Sequence, residues 1–509
     1  NNQVILVVSG TGSGKTVLTP KFALHTLNYK GKIVITNPKR LPSMENAKFA
    51  AKTLDVKLGD SVGVKYRGSD SSLYSKTKTK LLYSTDGYVL AKLISDPLLS
   101  DIDCVIIDEA HERGVQIDLL LMLLKKLIKK RPDFKLIIMS ATVNEKIFID
   151  YFPKKEFKFS LIDAGGKPNH PIKEIFLKNS INKFDSNKNL INKNYIVESC
   201  KKAVEILTTT TQGDILIFFA GKGESADGCV ELHKMISQIN EELDKKIYCE
   251  ILHSGTDENT KNYITTANEF KTHPKGPYER KVIFATEVAE SSITFDGIDY
   301  VIDTGLVNQN RFYPNKNMNS LEKIYISKAS HTQRKGRTGR TNPGTCYNMF
   351  SYKEYISNFS DYAPSPINLV DISEYVLKFF ARKDLVSHVN LPFSYQKNKD
   401  DKIKKDDKNT KNNELIKPIE LSDFFSKFIE PPNENSVRKS LNKIIALGGI
   451  DINNSKGYLN LMGESMAEFD TSPEISRMLI AGYNYKCRDE ICNLAGIFSV
   501  TDYRMDSII

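Results

Sequence analysis

Short apolar runs alternate with stretches of helical periodicity along the first third of the chain. Val4 to Ser9 is apolar and ends in a glycine-rich turn, and Lys32 to Thr36, Asp103 to Ile107 and Lys135 to Met139 are further runs of the same kind. Helical patterns lie between them, such as Leu119 to Lys130, where Lys125 and Lys126 make an apolar stretch amphipathic. Short β-rich runs separated by helices predict a parallel sheet with helices on both faces. The texture then recurs: Asp214 to Phe219, Ile247 to Leu252, Lys281 to Ala285 and Tyr300 to Asp303 are strand-like, with helices between. Two α/β domains in tandem are the economical reading. Their boundary is expected near Asp163–Pro171, where Gly165, Gly166, Pro168 and Pro171 break regular structure. Asn179 to Asn194 is polar and Asn-rich, and is expected to be a surface loop.

Val307 to Ile326 holds two strand-like runs around Pro314–Asn319, the pattern of a hairpin. From Val370 onward helices dominate, with a short strand signal at Gly457 to Leu461. Gln396 to Asn413 is almost purely Lys, Asp and Asn, which reads as a solvated insertion rather than a nucleic-acid grip.

Bulk numbers bound this picture without deciding it. A chain of 509 residues is long enough for several domains, and 40% hydrophobic with 26% charged residues is ordinary for a globular protein. The formal net charge of +10 suits a polyanionic partner, but it is spread along the chain and supports nucleic acid only weakly. Seven cysteines are scattered without a framework, as in a reducing compartment. Cys487 and Cys492 lie close, yet no paired His or second Cys cluster offers a zinc site. No apolar run reaches the length of a membrane span and no signal peptide is visible, so no membrane partner and an intracellular, otherwise unspecified location are expected. The chain opens at Asn1 in a strand-like run, as an excerpt of a longer protein would.

Three groups of residues carry chemistry. Ser9 to Thr16 reads SGTGSGKT between a strand and a helix, the context a phosphate-binding loop requires. Gly10, Thr11, Gly12, Ser13 and Gly14 let backbone N–H groups wrap phosphates, Lys15 adds a cation near the β- and γ-phosphates, and Thr16 offers a hydroxyl to Mg²⁺. Ser9 stands where the general pattern has its first Gly. Next, Asp108 and Glu109 end a buried strand, where ligands sit in an open parallel sheet. Asp108 suits Mg²⁺ held through water, and Glu109 suits the activation of an attacking water. Alone, such a pair is often a helix cap; following the loop at Lys15, it is read as functional. Finally, Arg337 and Arg340 lie three apart, which on a helix puts both guanidinium groups on one face. Across a cleft they would stabilise charge on a transferring phosphoryl group.

GTGSGKT, then DEAH at Asp108–His111 running into HER at His111–Arg113, resembles the DEAH-box branch of the superfamily 2 helicases. Further motifs follow in the family's order: TNPKR at Thr36–Arg40, STDG at Ser84–Gly87, SAT at Ser140–Thr142, IFFAGKGE at Ile217–Glu224, ATEVAESSITFDGIDYVIDTG at Ala285–Gly305 and QRKGRTGR at Gln333–Arg340. The match is ordered from Gly10 to Arg340 and continues more weakly to Ile509.

The resemblance implies an α/β fold of two tandem RecA-like domains, 1–164 and 165–365. A winged-helix domain at 366–455 would follow, carrying the insertion 396–413, and then the start of a helical ratchet domain at 456–509, with no OB-fold. It implies that Gln333 joins Lys15, Asp108, Glu109, Arg337 and Arg340 in hydrolysis, and that His111, Ser140 and Thr142 couple hydrolysis to movement. Asp296 and Thr294 are implied near the ribose and the attacking water. Arg40, Thr85, Asp86, Thr286 and Ser291 are implied to contact the nucleic-acid backbone, and the hairpin to act as a wedge. The implied activity is ATP-dependent, Mg²⁺-requiring translocation on single-stranded RNA, 3′ to 5′, by a monomer that unwinds duplexes or remodels ribonucleoprotein. A DNA helicase or remodelling ATPase remains an alternative, because backbone contacts do not separate RNA from DNA; a non-catalytic scaffold is a third reading. Departures from the pattern are Lys39 for an Arg, Glu287 for an Asn, and Phe49 where a base-stacking Arg is expected, so other NTPs are expected to serve beside ATP.

Overall fold

The computed structural model describes residues 2–9, 14–140, 145–165, 170–182, 184, 190, 192, 194–290, 295–382, 389–390, 419–453 and 456–501. Residues 1–310 with 321–364 form one compact unit, and 311–320 with 365–509 form another.

The first unit contains two parallel sheets. Strands β1 (Val4–Val8), β2 (Ile33–Asn37), β3 (Val62–Lys65), β4 (Leu81–Thr85), β5 (Cys104–Ile107), β6 (Lys135–Ser140) and β7 (Phe159–Asp163) build the first, in the order β3-β4-β2-β5-β6-β1-β7. Its central strands are buried along their length, as in Ile33 to Ile35 and Val105 to Ile107. Helices on both faces explain why these strands read as continuous apolar runs rather than alternating ones. Strands β3, β4 and β7 are not marked in the sequence by such runs: Gly63 interrupts β3, Tyr83, Ser84 and Thr85 dilute β4, and β7 is an edge strand ending in exposed Ile162 and Asp163. The helix expected from Leu119 begins a turn earlier, spanning Val115–Lys130.

The second sheet uses β8 (Ile172–Leu177), β9 (Asp214–Phe218), β10 (Ile247–Leu252), β11 (Arg280–Ala285) and β12 (Ile298–Asp303). A hairpin, β13 (Leu306–Tyr313) and β14 (Met318–Tyr325), intervenes before β15 (Gly344–Ser351) closes the order β10-β11-β9-β12-β15-β8. All pairings within this sheet are parallel. Helices Asn194–Thr209 and Lys222–Ile239 bury Tyr195, Cys200, Leu207 and Leu232 against Ile215, Ile217 and Phe284. Gly228 permits the second helix to approach, since a Cβ there would lie 2.5 Å from the Phe219 ring and 2.6 Å from that of Phe284.

Because each sheet is parallel, every strand's C-terminal end lies on one edge. The register places Val8 beside Ser140, Thr36 beside Ile107 and Asn37 beside Thr85. The motifs read from the sequence therefore converge on that edge, where an open α/β sheet binds ligands.

The second unit is mainly helical, with helices including Ser373–Phe380, Glu434–Ala446, Leu461–Ala467, Pro473–Asn484 and Arg488–Thr501. It also has a three-stranded antiparallel sheet of β16 (Val389–Asn390), β17 (Ile450–Asn453) and β18 (Lys456–Leu459). The tip of the hairpin packs here: Phe312 donates its N–H to the Leu369 carbonyl at 2.7 Å, and Lys443 lies 5.8 Å from the Phe312 ring. Lys443 also bridges Asp371 at 2.7 Å and Glu474 at 2.6 Å, tying two helices and the loop before a third. The run 396–413, half of 179–194 and residues 166–169 at the expected boundary lie outside the described residues. Among the described residues, no helix is long and apolar enough to cross a membrane.

Candidate active site

Strand β1 delivers the chain to the sheet edge at Ser9, which is buried and donates its N–H to the Ser140 carbonyl at 3.3 Å. Gly10, Thr11, Gly12 and Ser13 lie outside the described residues. Gly14 follows at φ +78°, a left-handed conformation that suits glycine, and caps helix Lys15–Thr26. Its carbonyl accepts the N–H groups of Val17 and Leu18. The first turn of this helix carries no acidic side chain, so its amide end stays electropositive toward an anion. Lys15 is buried at this end.

Two strands away, β5 ends at Ile107, followed by Asp108 with 1% exposure. Asp108 Oδ1 accepts the Glu109 N–H at 2.9 Å, while Oδ2 is buried with no hydrogen-bond partner among the described residues. Burial, then the neighbouring Glu109, push this carboxyl well above the usual range; Lys15 and Thr16 only partly counter them. A buried acceptor short of positive charge, beside a Thr hydroxyl and a Lys, fits a hard divalent cation such as Mg²⁺. Glu109 itself has φ +52°, a rare conformation for a side-chain-bearing residue. The turn that imposes it is locked from behind: Arg113 grips the fully buried Asp118 through two bonds of 2.6 and 2.8 Å. His111 Nδ1 lies 3.4 Å from Glu109 Oε2, and burial lowers its pKa against the pull of Glu109 and Glu112, favouring the neutral ring.

The second sheet brings the arginines. Helix Lys328–Lys335 carries Gln333 but ends before Arg337 and Arg340, with Gly336 as its C-cap. The expectation that both arginines share a helix face is thus corrected: they sit in the turn beyond, shaped by Gly339 at φ +74°. A Cβ at Gly339 would lie 2.6 Å from Ile172, so the turn packs directly against β8. Arg337 is buried and donates to the Glu290 carbonyl. Burial, and after it Arg340, lower its pKa to about 9, while Glu109 from the first sheet and Glu290 favour its charge. Arg340 is partly buried, its pKa lowered by burial and supported by Asp296. Asp296 is exposed.

The residues implied to touch nucleic acid occupy the same edges. Arg40 opens helix Arg40–Thr53 and is exposed. Thr85 precedes helix Asp86–Ser95 at the end of β4, and Thr286 caps a short turn after β11. Asp86 is buried, and desolvation raises its carboxyl to about 7, with the Thr36 hydroxyl opposing and Glu112 adding to the shift. Ser140 is buried at the end of β6; Thr142, Ser291, Ser292 and Thr294 lie outside the described residues.

Comparison with known proteins matches this arrangement. The model of the DEAD/DEAH box helicase domain matches residues 1–148, and that of the helicase conserved C-terminal domain matches residues 198–342. The chain belongs to the DEAD/DEAH box helicase family. A protein of Acanthamoeba polyphaga mimivirus, named provisionally as an ATP-dependent RNA helicase, is 39% identical over 380 residues, 74% of this chain and 51% of that protein. Two crystal structures of the E. coli DEAH-type protein HrpB share the fold at a TM-score of 0.73 and 23% identity, covering 97% of this chain and 52% and 54% of theirs. The chain thus spans about half the length of the relatives it matches.

In this helicase frame one functional group escaped the motif reading. Arg334, fully buried, binds Glu290 Oε1 at 2.7 Å and Asp303 Oδ1 at 2.9 Å, and its guanidinium lies 4.8 Å from the Phe218 ring. His331 joins Asp303 Oδ2 at 2.8 Å to Glu174 Oε1 at 2.7 Å. Together they pin the helix that presents Gln333 and the arginine turn onto β8 and β12. The sequence signal was available as extra basic residues inside HTQRKGRTGR, but their buried acidic partners are distant in the chain.

Proposed function

We propose that this chain is the motor part of an ATP-dependent RNA helicase. It hydrolyses NTP to move along single-stranded RNA, 3′ to 5′, unwinding duplexes or remodelling ribonucleoprotein. The observation that carries this is geometric: Lys15 and Asp108 are buried at the edge of the first sheet and Arg337 at that of the second, and Asp108 Oδ2 has no hydrogen-bond partner among the described residues.

The phosphates of NTP fit between these groups, held by the loop 10–14, the amide end of helix Lys15–Thr26 and the Lys15 ammonium. Thr16 and Asp108 would hold Mg²⁺, which when bound neutralises charge on the β- and γ-phosphate oxygens. Glu109 accepts the proton of the attacking water, which Gln333 helps to orient. Arg337 and Arg340 stabilise the charge that develops on the leaving phosphoryl group; in a dry site such stabilisation is far larger than in water. Asp296 is assigned to the ribose. Neutral His111, with Ser140 and Thr142, links the acid pair to the neighbouring strands.

Arg40, Thr85, Asp86, Thr286 and Ser291 are assigned to the nucleic-acid backbone, where contacts fix position without reading bases. Closing and opening of the two RecA-like domains around NTP then advances the strand. Residues 366–455 are assigned as a winged-helix domain and 456–509 as the start of a ratchet domain; the antiparallel β16–β18 sheet flanked by helices supports the first assignment. Phe49, 54% exposed, stands where the resemblance expects a base-stacking Arg and carries no guanidinium for a base, which supports use of NTPs beyond ATP.

RNA as the partner is supported by the name of the mimivirus relative. Strand displacement on tailed RNA and DNA duplexes tests it. Displacement of RNA duplexes bearing a 3′ tail is expected, and a clear preference for tailed DNA would transfer the proposal to the DNA helicase reading.

A further inference from the structure

Cys229 and His233 stand one turn apart on helix Lys222–Ile239, so their side chains leave the same face. Cys249 belongs to β10, the outermost strand of the second sheet. The fold brings the three together although 20 residues separate the two cysteines. One ligand atom from each lies within 4.8 Å of the other two, and no other trio of His, Cys or carboxylate groups does so among the described residues. All three are half-buried. The imidazole is also oriented: Asp244 Oδ1 lies 2.7 Å from His233 Nδ1. A carboxylate on one ring nitrogen fixes the proton there and leaves the other nitrogen's lone pair for a metal, the usual arrangement of a metal-binding histidine. In the structure the two sulfurs are joined as a disulfide. That bond accounts for the sulfurs but gives the oriented imidazole nothing to do, and the other five cysteines are free thiols.

We propose that in the reduced protein Cys229, Cys249 and His233 form a zinc site, with Asp244 orienting the imidazole and solvent in the fourth position. Each thiol releases its proton on coordination, and two thiolates with a neutral imidazole exactly neutralise Zn²⁺. Tetrahedral Zn–S bonds of about 2.3 Å and a Zn–N bond of about 2.0 Å set the sulfurs roughly 3.8 Å apart and each roughly 3.5 Å from the nitrogen, so the sulfurs part on reduction while the trio stays within its present 4.8 Å span. The soft sulfur pair selects zinc over the Mg²⁺ of the hydrolytic site. The metal would staple β10 to the helix beside it. As the outermost strand, β10 has an edge with no strand neighbour in its sheet, a place that proteins guard against fraying and mispairing.

The test uses the untagged full chain, purified under a phosphine reductant and dialysed free of loose metal. Elemental analysis is expected to find one zinc per chain, and replacement by Co²⁺ should give thiolate-to-cobalt charge-transfer absorption. Cys229→Ser with Cys249→Ser should abolish both signals. His233→Gln should weaken binding by more than tenfold, and Asp244→Asn by about 10- to 100-fold. Cys487→Ser should keep the full complement. Zinc content unchanged by the paired cysteine replacements would overturn the site. So would wild-type Cys229 and Cys249 that react with a thiol reagent equally fast with and without zinc. Peptide mapping that finds the two cysteines disulfide-bonded in cells lysed under a thiol-blocking agent would overturn it as well. The cobalt spectrum is read on wild-type protein, so the outcome does not depend on the variants folding.

Discussion

The two sheets present opposite charges at equivalent edges. At the first, Asp108 is buried with one oxygen unmatched, and its carboxyl is held toward the protonated form. At the second, Arg337 is buried and its guanidinium is weakened to a pKa of about 9. Three residues away, Arg334 shows that the same fold can compensate the charge of a buried arginine: Glu290 and Asp303 outweigh the cost of burial and raise its pKa. The contrast separates two tasks within one motif. Arg334 is held by two carboxylates, while Arg337 donates to the Glu290 carbonyl and burial disfavours its charge; Asp108 is its counterpart of opposite sign on the other sheet. A charged substrate and its cation would offset that cost at both edges.

The sharpest way to break this comparison is to remove the available arginine. Arg337→Ala should lower kcat by about 10³-fold or more with NTP affinity changed far less, and Arg337→Lys should not restore it, since a point charge lacks the planar fork. Single-turnover hydrolysis reads this, and a loss below tenfold would place Arg337 with the structural group. Arg334→Met should instead appear as instability of about 3–5 kcal/mol, because Asp303 would keep a buried charge without its main partner. Denaturant unfolding measures it; wild-type stability with lost turnover would reverse the assignment of the two arginines.

Smaller effects test the acidic edge. Asp108→Asn should abolish hydrolysis yet raise the melting temperature of the nucleotide-free protein at alkaline pH by on the order of 2–4 °C. A lowered Tm in this variant would show that the carboxylate is already compensated. Asp86 offers the mildest test. Its folded pKa of about 7 lies above the 3.8 of an ordinary aspartate, so the folded state holds the proton longer. Between those limits the unfolded chain binds fewer protons, and stability declines as pH rises. Thermal melts from about pH 5.5 to 8 should show this slope flattened in Asp86→Asn. Parallel curves would remove Asp86 from the account.

Much of the fold was legible because buried parallel strands write continuous apolar runs, as in Val105 to Ile107 and Ile215 to Phe218. Edge and polar strands such as β7 and β8 do not, and they were missed. The hydrolytic residues were legible because phosphate chemistry constrains neighbours along the chain: Gly14, Lys15 and Thr16 at one helix start, Asp108 and Glu109 at one strand end. Arg334, His331 and the Cys229–His233–Cys249 cluster were not, because their partners come from distant strands and helices. The helix assumed for Arg337 and Arg340 failed for a local reason, since Gly336 ends the helix before Arg337 and Gly339 turns the chain before Arg340.

The account's central claim is that Glu109 activates water for a nucleotide gripped by Lys15 and completed by Arg337. The most direct measurement is NTP binding and RNA-stimulated hydrolysis by Glu109→Gln beside the wild-type chain. The account predicts nucleotide affinity within a few-fold of wild type and turnover lower by about 10²- to 10⁴-fold. Hydrolysis at the wild-type rate in that variant would contradict it.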